Sequence, residues 1–359
     1  MGTILYGAPP PVRADRRLRS NGRVPLSLPA PLTDTVPPAR IHHVVEQSLE
    51  TGPPPAPLRP RAAFEAAGFF AVLLALTLPD LLAQARSPTL GLAWSELCTM
   101  LLPALVAAAG SNLRPAPYLG LDRPRPAAVL LGALLGAAGF LAANGILALW
   151  VMVLPRSILD LFPDVSRIFE GPPLERTATV AVAVLLAPLC EETAFRGYLQ
   201  RTLLRDLGPG RAVGLVALLF AARHLDPVRF PALTALGALF GWLSWRGGSL
   251  WPAIAGHLAN NALATTLSLL APPGASPPTR PTLWDALSLL AVGGAGVVAL
   301  AAAFEKAAPA APAAGQELPR RDPADPSFKF RLGRVPGPLL AAASAGLLAL
   351  FALLFASAP

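Results

Sequence analysis

The sequence predicts an all-α fold, a polytopic membrane helix bundle of about eight to nine transmembrane helices. Hydrophobic residues make up 53% of the chain and charged residues only 14%, whereas soluble domains carry about 25% charged residues. Apolar runs of roughly 18 to 25 residues recur, and each is long enough to cross a hydrocarbon core about 30 Å thick. Most of the chain is therefore expected to lie in lipid.

Residues 1–60 differ in composition from the rest of the chain. They are rich in Pro and Arg, with runs such as Pro9 to Pro11, and they show no apolar periodicity. Such a segment cannot bury enough apolar surface to fold, so a disordered N-terminal arm is predicted. Because the arm lacks the pattern of a cleavable signal peptide, the first helix is expected to direct the chain to the membrane.

Apolar segments that could span the bilayer follow the arm. One of them, 211–225, is short and contains Arg223 and His224, which favours a core helix sheltered by its neighbours. A transmembrane bundle is thus expected over 62–304, a basic loop over 305–337 and a C-terminal transmembrane helix over 338–357. The predicted spans are 62–84, 90–110, 127–154, 177–203, 211–225, 230–246, 250–271, 282–304 and 338–357.

The arginines of the arm and the loops indicate how the bundle is oriented. With nine predicted spans and a cytoplasmic N-terminus, the Arg-rich segments lie on the cytoplasmic side, as the positive-inside rule requires. The same arginines account for the formal net charge of +8, so the expected partner is the lipid bilayer and not nucleic acid. The Ala, Leu, Pro and Arg bias is typical of a GC-rich bacterial genome, which predicts a multi-pass protein of the bacterial cytoplasmic membrane.

Charged residues that interrupt an apolar run are the first sign of function. A charged side chain at the centre of a membrane helix costs about 2.5 to 3.5 kcal/mol, so such residues are expected to have a role. Glu191, Glu192 and Arg196 directly follow the uncharged run 180–189. Glu192 and Arg196 are one helical turn apart and can pair, whereas Glu191 points about 100° away and has no local counter-ion.

Two histidines lie in apolar helices farther along the chain. His224 follows Phe220 by one turn, and His257 precedes Asn261 by one turn, so each helix presents a polar face. Taken alone, such a His is more often a hydrogen-bonded core residue, and such an Asn more often joins two helices. Three polar helix faces within about seventy residues instead indicate a shared, hydrated site inside the bundle.

These residues form motifs that resemble those of the CAAX protease and bacteriocin-processing (CPBP, or Abi) family of intramembrane proteases. The resemblance covers about residues 119–271, which would form the CPBP-like core. The chain lacks the His-Glu-x-x-His helix of zincins, the Gly-x-Ser-Gly loop of rhomboids and the Gly-x-Gly-Asp of presenilins. The motifs read, in order, Glu191-Glu192-x-x-x-Arg196, Phe220-x-x-x-His224 and His257-x-x-x-Asn261.

The resemblance implies an endopeptidase that hydrolyses a membrane-delivered protein or peptide. Glu191 would accept a proton from water that His224 helps to hold, and His257 and Asn261 would donate hydrogen bonds to the oxyanion. Relatives act on prenylated C-terminal CAAX tails or on bacteriocin-like peptides. The implied catalytic set is Glu191, Glu192, Arg196, His224, His257 and Asn261.

Three alternatives remain open at the level of the sequence. Glu191, His224 and His257 match the His₂Glu ligand set of catalytic zinc sites, so the cofactor is either none or Zn2+. The metal-free route is favoured because the chain has no pair of His residues at zincin spacing. A non-enzymatic scaffold or bacteriocin-immunity protein of the same fold could keep the cluster for structure, and a proton-coupled transporter could use it as a relay.

Overall fold

Helices, with no strand among them, form the part of the chain that the structure describes. The chain divides into two units, Met1–Leu58 and Arg59–Pro359, and every described residue belongs to the second. The structure is a computed structural model, and it describes residues 62–110, 115–121, 125–162, 168–270 and 281–308. The predicted arm at 1–60 and the predicted helix at 338–357 lie outside these residues.

The helices are numbered α1 to α10 in chain order. They are α1 Ala62–Arg86, α2 Pro88–Gly110, α3 Pro115–Leu119, α4 Pro126–Val153, α5 Arg156–Leu159, α6 Pro173–Leu203, α7 Pro209–Arg223, α8 Phe230–Gly247, α9 Trp251–Leu270 and α10 Leu283–Ala307. Short capping signals fix several boundaries. The Ser87 side chain caps α2, with Pro88 in the first position, and a Thr282–Asp285 capping box starts α10. Gly248 in the left-handed conformation ends α8.

The predicted all-α membrane class is confirmed, and the chain is a multi-pass membrane protein. Five described helices are long and apolar enough to cross a bilayer, namely α1, α2, α4, α6 and α10. Of the other predicted spans, the three within the described residues became α7, α8 and α9, which do not meet both criteria. Helix α7 is short, and polar residues such as His257 and Asn261 lower the hydropathy of α9. Helix α10 continues to Ala307, within the segment 305–337 predicted as a loop, and the part of that segment after 308 lies outside the described residues.

Helix α4 is the central packing element of one half of the bundle, where it lies against α8, α9 and α10. Glycines on α4 allow this close approach. A Cβ atom added at Gly136 would lie 1.9 Å from the Gly256 carbonyl oxygen, and one added at Gly132 would lie 2.4 Å from that of Pro252. Small residues at helix crossings are typical of membrane bundles, because without a hydrophobic drive in lipid the helices gain stability from close packing.

Helices α2 and α6 each contain a π-helical turn just before a proline. In α2 the turn Ser95–Leu101 precedes Pro103, and in α6 the turn Val182–Leu186 precedes Pro188. A proline has no N–H and its ring crowds the carbonyl four residues back, so a regular α-helix cannot accept it without distortion. The wider π turn accommodates the ring, and π turns are often found at functional sites. A second π turn, Thr193–Gln200, directly follows Glu192.

Candidate active site

The buried ion pair of Glu192 and Arg196 occupies the middle of α6. Arg196 Nη1 donates to Glu192 Oε1 at 2.7 Å, and both side chains are fully buried. Arg196 Nη2 also donates to the carbonyl of Gly237 at 3.0 Å, which joins α6 to α8. The guanidinium lies 4.4 Å from the centre of the Phe220 ring, a cation–π contact. The pair expected from the four-residue spacing is thus present in the structure.

Glu192 has a second partner, which the spacing of residues in the sequence did not predict. His257 Nδ1, on α9, lies 2.9 Å from Glu192 Oε1, the same oxygen that accepts from Arg196. A carboxylate oxygen accepts, so His257 donates from Nδ1 and directs its Nε2 away from Glu192. His257 is also stacked on Phe240, with ring centres 4.9 Å apart and planes at 18°. Phe240 therefore belongs to the site although no motif included it.

Glu191 and Glu192 each have one buried oxygen without a hydrogen-bond partner among the described residues, but of the two only Glu192 also accepts from Arg196 and His257. The unpartnered oxygen of Glu191 is Oε2, and the nearest imidazole atom to it is His257 Nε2 at 3.8 Å. The Glu191 side chain is 15% exposed, whereas that of Glu192 is fully buried. The two neighbouring acids therefore differ in both solvent access and pairing.

His224 lies at the C-terminal end of α7, one residue beyond the helix. Its Nδ1 is 2.8 Å from the carbonyl oxygen of Phe220, and a carbonyl can only accept, so Nδ1 carries a proton. In the neutral ring the Nε2 lone pair then remains available. His224 interacts electrostatically with both Glu191 and His257. The Phe220 ring contacts both imidazoles, with centroid distances of 4.9 Å to His224 and 6.0 Å to His257.

The turn that follows His224 is fixed by an unusual backbone and by Asp226. Leu225 has a φ of 52°, in the left-handed region that non-glycine residues rarely adopt. Asp226 accepts from the backbone N–H groups of Val228 and Arg229, at 2.8 and 3.0 Å, and from Arg229 Nε at 2.6 Å. Burial by itself raises the pKa of Asp226, but these hydrogen bonds outweigh it and hold the pKa below its usual value. The turn thus holds His224 at the end of its helix.

Asn261 contacts the backbone of α6 and not the acid pair. In the π turn of α6 the Ala187 N–H bonds to the Val182 carbonyl, five residues back, and the following Pro188 has no N–H. The Ala183 carbonyl therefore loses its helical donors, and Asn261 Nδ2 donates to it at 2.9 Å. The structure accordingly engages one N–H of the Asn261 amide at the helix, and the second N–H of the same nitrogen can still donate to an oxyanion.

A second buried polar group lies beside the first and was missed in the sequence. Asp80 of α1 pairs with Arg223 Nη2 at 2.5 Å and accepts from Thr99 Oγ1 at 2.7 Å. Glu96 of α2 is buried as well. An acidic residue inside an apolar run indicated a functional role for Glu191. The same criterion applies to Asp80 and Glu96.

The zinc alternative needs the Glu191, His224 and His257 side chains to converge on one point. Within the described ranges, no group of three or more His, Cys, Asp or Glu side chains is placed so that it could hold a metal ion. Glu191, His224 and His257 therefore do not form a ligand set in this arrangement. Of the residues predicted for the site, Glu191, Glu192, Arg196 and His257 lie together, His224 flanks them, and Asn261 bonds elsewhere.

Comparison with known proteins finds one family model that matches part of the chain. Residues 173–263 match the family model described as type II CAAX prenyl endopeptidase, Rce1-like. No curated protein and no solved structure gives a match to the chain. The matched segment begins with α6 and ends within α9, so it contains all three motifs and lies inside the expected core of 119–271. Residues 173–263 thus form an Rce1-like domain of the CAAX-type endopeptidases, the family that the motifs resemble.

Proposed function

We propose that the protein is an intramembrane endopeptidase that hydrolyses a membrane-delivered protein or peptide, with Glu191 as the base that activates water. The observation that supports this assignment is the contrast between the two adjacent acids. Glu192 is fully buried and accepts from Arg196 and His257, whereas the Glu191 side chain is 15% exposed and its Oε2 lies 3.8 Å from His257 Nε2. A base must reach water and must not be occupied by a cation, and Glu191 fits both conditions.

The first step of the proposed reaction is attack by water on the scissile carbonyl. Glu191 takes a proton from the water, and the hydroxide that forms adds to the carbonyl carbon. The free Nε2 of His224 accepts a hydrogen bond from the same water and orients it. Glu191 then passes its proton to the leaving nitrogen as the carbon–nitrogen bond breaks, so the enzyme regains its starting state.

The oxyanion of the tetrahedral intermediate needs donors that are already in place. His257 is fixed by its bond to Glu192 and by stacking on Phe240. In its protonated form the ring donates from both nitrogens, so Nε2 can serve the oxyanion while Nδ1 keeps Glu192. Arg196 keeps Glu192 oriented and compensates its buried charge. Asn261 joins as a second donor through the N–H of Nδ2 that does not bond to Ala183.

The experiment measures cleavage by purified protein in liposomes. Two reporter peptides are compared, a prenylated peptide with a CAAX terminus and an apolar peptide without a lipid. Glu191→Gln is expected to slow cleavage by about 100-fold or more. The exposed Glu175 of α6 provides a matched control, and Glu175→Gln is expected to cleave at the wild-type rate. Equal rates for wild type and Glu191→Gln would show that the assigned base is wrong.

Further arms of the same experiment separate the alternatives. Cleavage of only the prenylated peptide would assign a CAAX-tail substrate, and cleavage of only the other would assign a non-lipidated peptide. Dialysis against a chelator is expected to leave the rate unchanged, and a loss that Zn2+ restores would support zinc instead. A folded protein that cleaves neither peptide would favour the non-enzymatic scaffold, and a proton flux lost in Glu191→Gln would favour the transporter.

The proposed orientation has a cytoplasmic N-terminus in a bacterial cytoplasmic membrane. It follows from the arginines of the N-terminal arm and of the loops. A reporter domain fused to the N-terminus is expected to be protected from protease added outside intact cells. Digestion of the reporter in those cells would reverse the topology.

A further inference from the structure

The second buried polar group is built around Asp80. Its carboxylate accepts from Ser95 Oγ at 3.1 Å and from Thr99 Oγ1 at 2.7 Å, both from the π turn of α2. Arg223 Nη2 of α7 lies 2.5 Å from the same carboxylate, and the Asp80 side chain is almost fully buried. Arg223, which directly precedes His224 in the chain, is therefore already paired with Asp80.

Glu96 lies in the same π turn of α2, and within the described part of the chain no ion pair joins it to a cation. It is only 3% exposed, and its Oε2 has no hydrogen-bond partner among the described residues. The π turn packs against the segment Ala187–Glu192 of α6, which carries Glu191. The Glu96 carboxyl interacts electrostatically with Glu191 and with the Cys190 thiol on that segment. Two carboxyls with unpartnered oxygens thus lie on segments of α2 and α6 that pack against each other.

The charges around this pair do not balance if both acids are ionised. The groups that face Glu96 are Glu191, Cys190, Asp80 and Arg223, and the one cation among them is bonded to Asp80. A carboxyl that is buried without a cation of its own is costly to ionise, and a second negative charge on the packed neighbouring segment adds to that cost.

Solvent access and neighbours distinguish the two acids. Glu191 is partly open, and His257 Nε2 lies 3.8 Å from its Oε2. Glu96 is more deeply buried, and the cation near it, Arg223, is already bonded to Asp80. We propose that Glu96 keeps a proton at working pH and is a positioning residue for Glu191, which leaves Glu191 as the only anion of the pair.

This proposal rests on the proposed function. A neutral Glu96 matters for activity because it keeps Glu191 ionised and ready to accept a proton from water. The charge state of Glu96 can be measured without turnover, so the two proposals can fail separately. Infrared difference spectra at neutral pH report the C=O stretch of protonated carboxyl groups. Glu96→Gln is expected to remove a band of this type, and the exposed control Glu175→Gln is expected to leave it. A band that persists unchanged in Glu96→Gln would overturn the proposal.

A second measurement uses the wild-type chain and does not depend on the folding of a variant. A hydrophobic carbodiimide adds to protonated carboxyl groups in apolar surroundings, and mass spectrometry locates the adduct. Modification of Glu96 at neutral pH, with none at Glu175, is the expected result. Modification of Glu191 in place of Glu96 would place the proton on the other acid and overturn the assignment.

The pH dependence of cleavage gives a third readout with a definite sign. Glu96→Gln replaces one neutral group by another of the same shape, so the acid limb of the pH–rate profile is expected to stay within about 0.3 pH units of wild type. If Glu96 were the ionised member, the substitution would remove a negative neighbour of Glu191. The acid limb would then move to lower pH by about one unit or more, which would contradict the proposal.

Discussion

His257 Nδ1 and Glu192 Oε1 are 2.9 Å apart, and the same oxygen accepts from Arg196 at 2.7 Å. One carboxylate oxygen therefore joins the imidazole of α9 to the guanidinium of α6. The second oxygen of Glu192 is buried without a partner among the described residues, so the two existing bonds carry the whole compensation of its charge. Glu192 therefore has a structural role, because it links α6 to α9. Glu191 is the acid proposed to act on water.

Glu192→Gln is expected to destabilise the protein strongly. The amide removes the charge that compensates the buried Arg196, and breaking one partner of a buried pair costs about 3–5 kcal/mol. Thermal unfolding in detergent measures the effect. The control is Glu65→Gln, which breaks the more exposed Glu65–Arg205 pair and is expected to cost about 1 kcal/mol or less. Equal losses in the two variants would mean that burial does not govern the Glu192 pair.

Asp80 and Arg223 are expected to be coupled energetically although 143 positions separate them. Asp80→Asn and Arg223→Gln should each lower the melting temperature, because each strands a buried charge. The double variant should lose less than the sum of the two, by about 0.5–3 kcal/mol. Strict additivity would show that the pair contributes no mutual stabilisation, and the exposed Asp160→Asn serves as the neutral control.

Gly136→Ala is expected to open the crossing of α4 and α9. The added Cβ would lie 1.9 Å from the Gly256 carbonyl oxygen, and a backbone atom can move away only if the helices separate. Overpacking of this kind costs about 1–3 kcal/mol, so the melting temperature should fall. Gly68→Ala on α1 is the matched control, because nothing lies within 4 Å of its added Cβ. A wild-type melting temperature in Gly136→Ala would disprove the close crossing.

The turn after His224 is expected to lose stability in acid through Asp226. Its pKa is lower in the folded state than in the unfolded chain, so its contribution is complete above the unfolded value of about 4. The contribution is lost as pH falls through the folded pKa, because the protonated carboxyl no longer accepts from Arg229 and Val228. The difference in melting temperature between wild type and Asp226→Asn should therefore shrink below pH of about 4. A constant difference from neutral pH to acid would contradict this linkage.

Local contacts in this protein could be predicted from the sequence, and contacts between helices could not. The Glu192–Arg196 pair and the Phe220 carbonyl bond to His224 each join residues four apart, a distance that the α-helix repeat fixes. The prediction of an all-α membrane bundle succeeded for a similar reason, because each apolar run needs only its own length and composition to be recognised.

The partner of His257 lies on another helix, so helical spacing could not predict it. Helical spacing left Glu191 as the acid without a counter-ion, and the expected meeting was between Glu191 and the two imidazoles. The structure gives the hydrogen bond of His257 to Glu192 and leaves Glu191 Oε2 at 3.8 Å from His257 Nε2. Likewise Asn261 was expected to donate to the oxyanion together with His257, yet in the structure it bonds to the Ala183 carbonyl.

The sequence by itself determined the helices, their apolar faces and the polar residues that interrupt them. The tertiary structure alone decided which polar residues meet, as in Asp80 with Arg223 or His257 with Glu192. The physical reason is that a helix fixes the relation of residues one turn apart, whereas its rotation and its crossing with another helix are set by side-chain packing over its whole length. Pro188 and its π turn shift that rotation within α6, which no count of residues along a regular helix includes.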